Sequence, residues 1–343
     1  MATDAFHTHF GPSPAPLKDG TASLVEAGKW VTSRSTRPGL GKVVAVLPEG
    51  SPALGPDAPA DQPQVKLVES VYEQFGRLPA TKANGGQMTA LQEGVHAVVG
   101  QYQDLFLSRL GVDQRAEVKD VVLMHAVNHV LKTRRRILKM NEKLAHAAAA
   151  ASEPSTTSAA APAELDARDQ GFTRPKILLL TPFRSSALAA LTSMLALFPA
   201  GTQIENRQRF LDEFSLPPGT ADRLLDRAGE WPRDHVETFA GNVDDNFRVG
   251  VKVTRKSVKL FGGFYGCDIV VGSPLGLRMS IEKEKCVASS SQGMQAAAAD
   301  IAALLAGAPT SCRVSRSLSP TGSTSCRCRT GSTSRCVFLP RTT

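Results

Sequence analysis

The sequence predicts an α/β protein in which a mainly helical N-terminal region precedes a parallel-sheet domain. Three stretches carry that prediction. Ile177 to Leu180, following Arg174-Pro175, is a continuous apolar run too short for a helix, which suits a strand covered on both faces of a parallel sheet. Cys267 to Val271 (CDIVV) is a second such run. Each ends in a Ser/Thr-Pro turn, Thr181-Pro182 and Ser273-Pro274, and each opens into a helical pattern. After the first, Leu188, Leu191, Leu195 and Phe198 recur at three- and four-residue intervals, so a helix packs back onto the sheet. The third stretch is Arg115 to His146, the longest helical signal, with Val118, Val122, Val127, Val130, Leu131, Ile137 and Leu138 as its apolar stripe and no Gly or Pro inside.

The remaining elements follow in chain order. Residues 1–64 form an N-terminal segment, partly disordered, with DAFHTHF (Asp4 to Phe10), turn-rich sequence and one strand at Val43 to Leu47. Residues 65–146 form the helical region, whose first half is split by Asn84-Gly85-Gly86. An Ala/Ser/Thr/Pro-rich linker covers 147–165, and the sheet domain covers 166–306. Within that domain Phe210 to Glu213 and Ala221 to Gly229 read as helical, closed by Trp231-Pro232. Phe247, Val249, Val251 and Val253 alternate with Arg248, Gly250, Lys252 and Thr254, a period of two that predicts a strand with one basic face. Residues 307–343 are rich in Ser, Arg, Thr and Cys without periodicity.

Composition narrows the function classes. A net charge of +8 over 343 residues favours a polyanionic partner such as RNA, because neutralised phosphates release counterions. No segment reaches about 18 consecutive apolar residues and no charged n-region precedes an apolar h-region, so the reading is intracellular and soluble, with no membrane partner. No metal site is expected. Cys326 and Cys328 are too close for a C-x2-C knuckle, His125 and His129 lack the glutamate of H-E-x-x-H, and His7 and His9 read as surface residues.

The two strand–turn–helix units share a chemistry. A turn at the C-terminal end of a parallel strand presents backbone N–H groups and a helix N-terminus to phosphate, and an arginine soon after adds charge-assisted bonds. T-P-F-R (Thr181 to Arg184) resembles the P-T-R motif of DEAD-box proteins, and S-P-L-G-L-R (Ser273 to Arg278) resembles their T-P-G-R motif. The longer wording is more specific. DQGFTRPKILLLTPFRSSAL, FAGNVDDNFRVGVKVTRKSVKLF, CDIVVGSPLGLR and the upstream LMHAVNHVLKTRRRILKMNEKL resemble the U3 small-nucleolar-RNA-associated protein 25 family, also called digestive organ expansion factor; DAFHTHF and YQDL (Tyr102 to Leu105) fit its N-terminal part.

That resemblance implies a partial RecA-like, P-loop-helicase-like sheet without ATPase motifs. It also implies a nucleolar, non-catalytic RNA-binding and scaffold component of the small-subunit processome, where 18S ribosomal RNA precursors are cleaved. The implied partners are pre-ribosomal RNA, the U3 small nucleolar RNA particle and processome proteins, with no cofactor. Arg184, Ser273 and Arg278 are the expected backbone contacts, with Arg248, Lys252, Arg255, Lys256 and Lys259 as a basic strand and loop. Arg134, Arg135 and Arg136, with Lys132, Lys139 and Lys143, either contact phosphate or form a solvated face near a helix C-terminus. An ATPase needs a phosphate loop ending in G-K-S/T; here Gly41-Lys42 precedes Val43 and Gly28-Lys29 precedes Trp30. Asp244-Asp245 reads as a turn or surface pair rather than a magnesium site. The alternatives are a working ATP-dependent RNA helicase and a purely protein-binding scaffold.

The family wording stops after the S-P-L-G-L-R helix. Back-translating Leu318 to Ser334 with permitted codons, and reading from each third base, gives VADGLDVLQMQNWQHV, which resembles the missing family segment. The tail is therefore expected to be a frameshift product. A sheet deprived of its neighbouring strands is expected to be poorly soluble when expressed alone.

Overall fold

A computed structural model describes residues 4–11, 20–50, 64–152, 175–227, 229–290 and 337–338. Helix α1 (Ala5–Phe10) begins at Asp4, whose Oδ1 accepts the N–H groups of Phe6 and Lys66 and whose Oδ2 lies 2.5 Å from Lys132 Nζ. One nearly buried carboxylate thus pins the segment to the helical region. Lys132, grouped with the solvated or phosphate-binding cations from sequence, is consumed by this pair. His7 is exposed as expected, whereas His9 is half-buried against the Tyr102 ring, 5.4 Å between centroids.

Helix α2 (Thr21–Glu26) supports an antiparallel hairpin of β1 (Trp30–Arg37) and β2 (Gly41–Pro48), where the sequence predicted one strand. The turn that joins them is fixed by tertiary packing. Gly39 has φ 74°, and a Cβ there would collide with the carbonyl of Ala90, because the hairpin tip sits on the start of a helix. The helical region follows as α3 (Glu69–Phe75), α4 (Pro79–Ala83) and α5 (Ala90–Val99), with the predicted break at Asn84 to Gly86. A capping box starts α5: Thr89 Oγ1 accepts the Gln92 N–H while Gln92 Oε1 accepts the Thr89 N–H.

Helix α6 (Val112–Ser152) is longer than its sequence signal. It continues through Ala147 to Ser152, as alanine's helix propensity favours; the rest of the Ala-rich stretch lies outside the described residues. Its middle is buried on more than one side, with Val118, Val121, Val122, Leu123, Met124, Val127 and Val130 all in the core. A helix apolar on several sides must be covered on several sides. Here α3 and α5 pack on it, and so does α7 (Arg184–Ala196) from the sheet domain, so helices and sheet share one core.

The sheet is mixed rather than parallel. Its order is β4 (Gln203–Glu205), β6 (Ser257–Lys259), β5 (Arg248–Val253), β7 (Ile269–Gly272), β3 (Ile177–Leu180) and β8 (Val337–Phe338). β3 runs parallel to β7 as predicted, but β5 is antiparallel to both β7 and β6. The physical reason lies in the alternation itself. A strand with one wet face is characteristic of antiparallel pairing, whereas strands buried on both faces read as unbroken apolar runs. Between β4 and β5 the chain forms α8 (Arg207–Phe214), α9 (Arg223–Asp226) and α10 (Arg233–Phe239), the last in a stretch read from sequence as the end of a helical region.

Asp268 ties the lower ends of three strands. It is almost fully buried, its Oδ1 is 2.8 Å from Lys176 Nζ, and its Oδ2 accepts the Val253 N–H at 2.8 Å. The two faces of the sheet are covered unequally. Leu179, Val249, Val251, Val253, Ile269 and Val271 belong to the main core, where Phe210, Phe214, Leu191 and Met194 are also fully buried, each worth about 1.5–3 kcal/mol of burial. On the other face, Val270 packs with Leu277 of α11 (Pro274–Ser290) and with Leu178 and Leu180. This smaller cluster leaves the Arg248, Lys252 and Lys259 side chains of β5 and β6 exposed, while Gly250 between them is buried under the chain at Gly262.

Candidate functional site

The side chains left exposed there are basic. Arg248 and Lys252 share one side of β5, and Lys259 of β6 stands directly opposite Lys252. Arg255 and Lys256 are exposed in the turn joining the two strands, where Thr254 Oγ1 donates to the Ser257 carbonyl and accepts its N–H. Between the cations, Gly250 lets the chain cross closely: its carbonyl accepts the Gly262 N–H at 2.8 Å, and a Cβ there would strike the Gly262 carbonyl. Arg248 lies 5.8 Å from the Phe264 ring centroid. Only Lys259 has a carboxylate near it, Glu205 at 3.8 Å; among the described residues Arg248, Lys252, Arg255 and Lys256 form no ion pair. The strand and loop cations expected from sequence therefore come together as one exposed group.

Arg278, also expected, is exposed on α11 and donates to Glu282 Oε1 at 2.8 Å. That bond, with the charge of Glu282, raises its pKa further.

Arg184 and Ser273 lie elsewhere. The Arg184 guanidinium donates to the carbonyls of Glu213 and Asn246 at 2.9 and 3.1 Å. It also stacks 5.2 Å from the Phe214 ring and holds Nε 2.8 Å from Asp244 Oδ2, close but not aligned as a hydrogen bond. Ser273 is fully buried; its hydroxyl donates to the Asp245 carbonyl and accepts the Gly276 N–H, so it caps α11. The loop from Asn242 to Phe247 covers both helix starts: Asn242 and Asp244 carbonyls accept the N–H groups of Ser185 and Arg184, and the Phe247 carbonyl accepts that of Ser273. The turns that the sequence offers to phosphate are thus filled by the chain's own carbonyls and carboxylates. Asp244-Asp245, expected as a turn or a surface pair, lies in this loop, with Asp244 Oδ1 accepting the Asn246 N–H.

On α6, Arg135 is exposed while Arg134 and Arg136 are half-buried, so the three do not present one basic face. Among the described residues no three His, Cys, Asp or Glu side chains group to hold a metal ion. The Cys267 thiol is buried, and that burial pushes it up to about 12, so it stays protonated. The cysteines of the tail lie outside the described residues, as does Leu318 to Ser334, the stretch expected to be out of frame. No described helix is long and apolar enough to cross a membrane. The sequence reading missed a row of rings at α10: His235 and Phe239 lie four residues apart on one helix face, and Trp231, which precedes the Pro232 N-cap, stacks on His235.

Residues 102–294 match the family described as UTP25, NTP hydrolase-like domain. The U3 small nucleolar RNA-associated protein 25 of Botryotinia fuckeliana is 34% identical over 283 residues, which is 82% of this chain and 36% of that protein. The protein of the same name from Schizosaccharomyces pombe is 33% identical over 280 residues, 81% of this chain and 39% of the relative. That from Pyrenophora teres f. teres is 41% identical over 226 residues, 64% and 30%. The chain thus spans well under half the length of these curated relatives. No solved structure matches.

Proposed function

The chain belongs to the U3 small nucleolar RNA-associated protein 25 family, and from that footing we propose that it is a non-catalytic RNA-binding and scaffold component of the nucleolar small-subunit processome, acting in 18S pre-ribosomal RNA processing. The observation that carries the reading is the exposed cation group on β5, β6 and the turn between them. Five cations, Arg248, Lys252, Arg255, Lys256 and Lys259, share it with one carboxylate, in a family whose relatives carry U3 small nucleolar RNA in their name. Unpaired cations on a rigid strand pair bind phosphates and release counterions, which positions RNA without reading its sequence. Arg278, exposed on α11 and paired with Glu282, is a further cation in the proposal.

Arg184 and Ser273 serve that surface indirectly, by fixing the sheet end from which β5 starts. The adjacent units β3–α7 and β7–α11 support the partial RecA-like assignment. Binding without turnover is supported by the sequence, in which no lysine of a Gly-Lys pair is followed by Ser or Thr. The partners are pre-ribosomal RNA, the U3 particle and processome proteins, and the compartment is the nucleolus.

The test is a filter-binding titration of the full chain against a pre-ribosomal RNA fragment, run beside an ATP-hydrolysis assay with and without that RNA. Salt-sensitive binding and no RNA-stimulated hydrolysis are expected. RNA-stimulated hydrolysis, or no binding at low salt, would overturn the reading.

A further inference from the structure

Away from the basic face, four rings form a continuous row at the surface. Trp231 and His235 stack with centroids 5.4 Å apart and planes 24° apart, His235 meets Phe239 at 4.8 Å, and Phe239 meets Phe183 at 5.5 Å. Trp231 is 47% exposed and Phe239 39%, with Val243 also exposed nearby in sequence. The fold does not need these side chains for its core, and leaving a contiguous aromatic surface in water is unfavourable unless something covers it. The row is held firmly. Thr238 of α10 accepts from Arg115 of α6, Arg233 pairs with Asp113, and the Gly241 N–H donates to Asp222 Oδ2 at 2.7 Å.

Charge identifies the occupant. From Asp222 to Asp245 there are seven carboxylates and three arginines, a net of −4 within a chain whose total is +8. Arg227 pairs with Glu230 at 3.5 Å and Arg233 with Asp113, and of the carboxylates Asp244 is taken by Arg184 at 2.8 Å. Among the described residues Asp226, Asp234 and Glu237 form no ion pair. Such a surface repels a phosphate backbone. A guanidinium, in contrast, stacks on aromatic faces and pairs with carboxylates, and loses less hydration than an ammonium in doing so.

We propose that the row Trp231–His235–Phe239–Phe183 is a docking site for an arginine-bearing basic segment of a partner protein. The inference uses a surface of opposite sign to the RNA-binding face and does not depend on it. Arginine side chains insert along the row, their planes against the rings and their charge facing Asp234 and its neighbours.

The experiment is fluorescence anisotropy of a labelled nine-residue arginine–glycine repeat peptide titrated with the full chain, beside a glutamate–glycine peptide of the same length and a labelled oligouridine. The arginine peptide binds and the glutamate peptide does not. Trp231→Ala weakens the arginine peptide by about five- to thirty-fold, the span of an exposed to a desolvated cation–π contact, and Trp231→Phe restores binding. Asp234→Asn, on the exposed rim where folding is not at stake, weakens it as well, and neither change alters oligouridine affinity. Unchanged peptide affinity in both Trp231→Ala and Asp234→Asn would overturn the proposal. So would loss of oligouridine binding with the peptide unaffected, which would make the row a platform for bases.

Discussion

At the scale of single residues, the meeting of Tyr102 and His129 gives this protein one acid-sensitive contact. Tyr102 Oη lies 3.0 Å from His129 Nδ1, and the rings of Phe6 and Phe10 pack on the imidazole at 5.6 and 4.8 Å. Burial, and secondarily the charges of Lys176 and Lys132, bring the His129 pKa down to about 4. Tyr102 reaches this geometry with φ 59°, a conformation that a tyrosine adopts only where its surroundings fix it. Because the folded pKa is below the ordinary value of 6.5, the unfolded chain takes up the proton more readily. The resulting stabilisation is complete above about pH 6.5 and is lost as pH falls through about 4, and over that range it amounts to about 3 kcal/mol. In urea melts at pH 7.5 and 5, the native chain should lose about 2 kcal/mol more than His129→Gln on acidification. Equal losses would remove His129 from this role. The sequence placed His125 and His129 one helical turn apart, but gave no signal that Tyr102 and Phe10 close on them, since those contacts come from distant segments.

Among the elements, the helix starts at α7 and α11 decide how the turn residues act. The Ser273 hydroxyl caps α11, and the expectation is that it acts through stability. Ser273→Ala should therefore lower the unfolding free energy by about 1 kcal/mol and leave the RNA dissociation constant unchanged. A loss of RNA affinity without a loss of stability would return Ser273 to the contact surface. The elements that were legible are those whose local signals agree: β3 and β7 as unbroken apolar runs, α6 as a long stretch without Gly or Pro, and β5 as an alternating strand. The direction of β5 was legible too, in its wet face, but a fold-level expectation of parallel strands overrode it. The β1–β2 hairpin was half-hidden because its turn is set by the Gly39 contact with α5, and α10 because Trp231-Pro232 resembles an ending more than a beginning.

At the scale of the whole molecule, one exposed cation group and one group of surface rings with neighbouring carboxylates occupy different elements. β5, β6 and the turn between them carry the cations, while α10 and its flanks carry the rings and carboxylates. One shared core under α6 and α7 joins the helical region to the sheet that carries the cations. Sequence supplied the members of the basic group but not their isolation from Arg184 and Ser273, which depends on how the Asn242 to Phe247 loop folds over the helix starts. Those two residue types looked alike as neighbours of phosphate until their carbonyl partners were known. The most direct measurement is the slope of log binding constant against log salt for single-stranded RNA, comparing the native chain with Lys252→Ala/Arg255→Ala/Lys256→Ala. The slope should flatten by about 2, near 0.7 for each cation removed, with weaker binding throughout. An unchanged slope would mean that RNA, if held at all, is held by another surface.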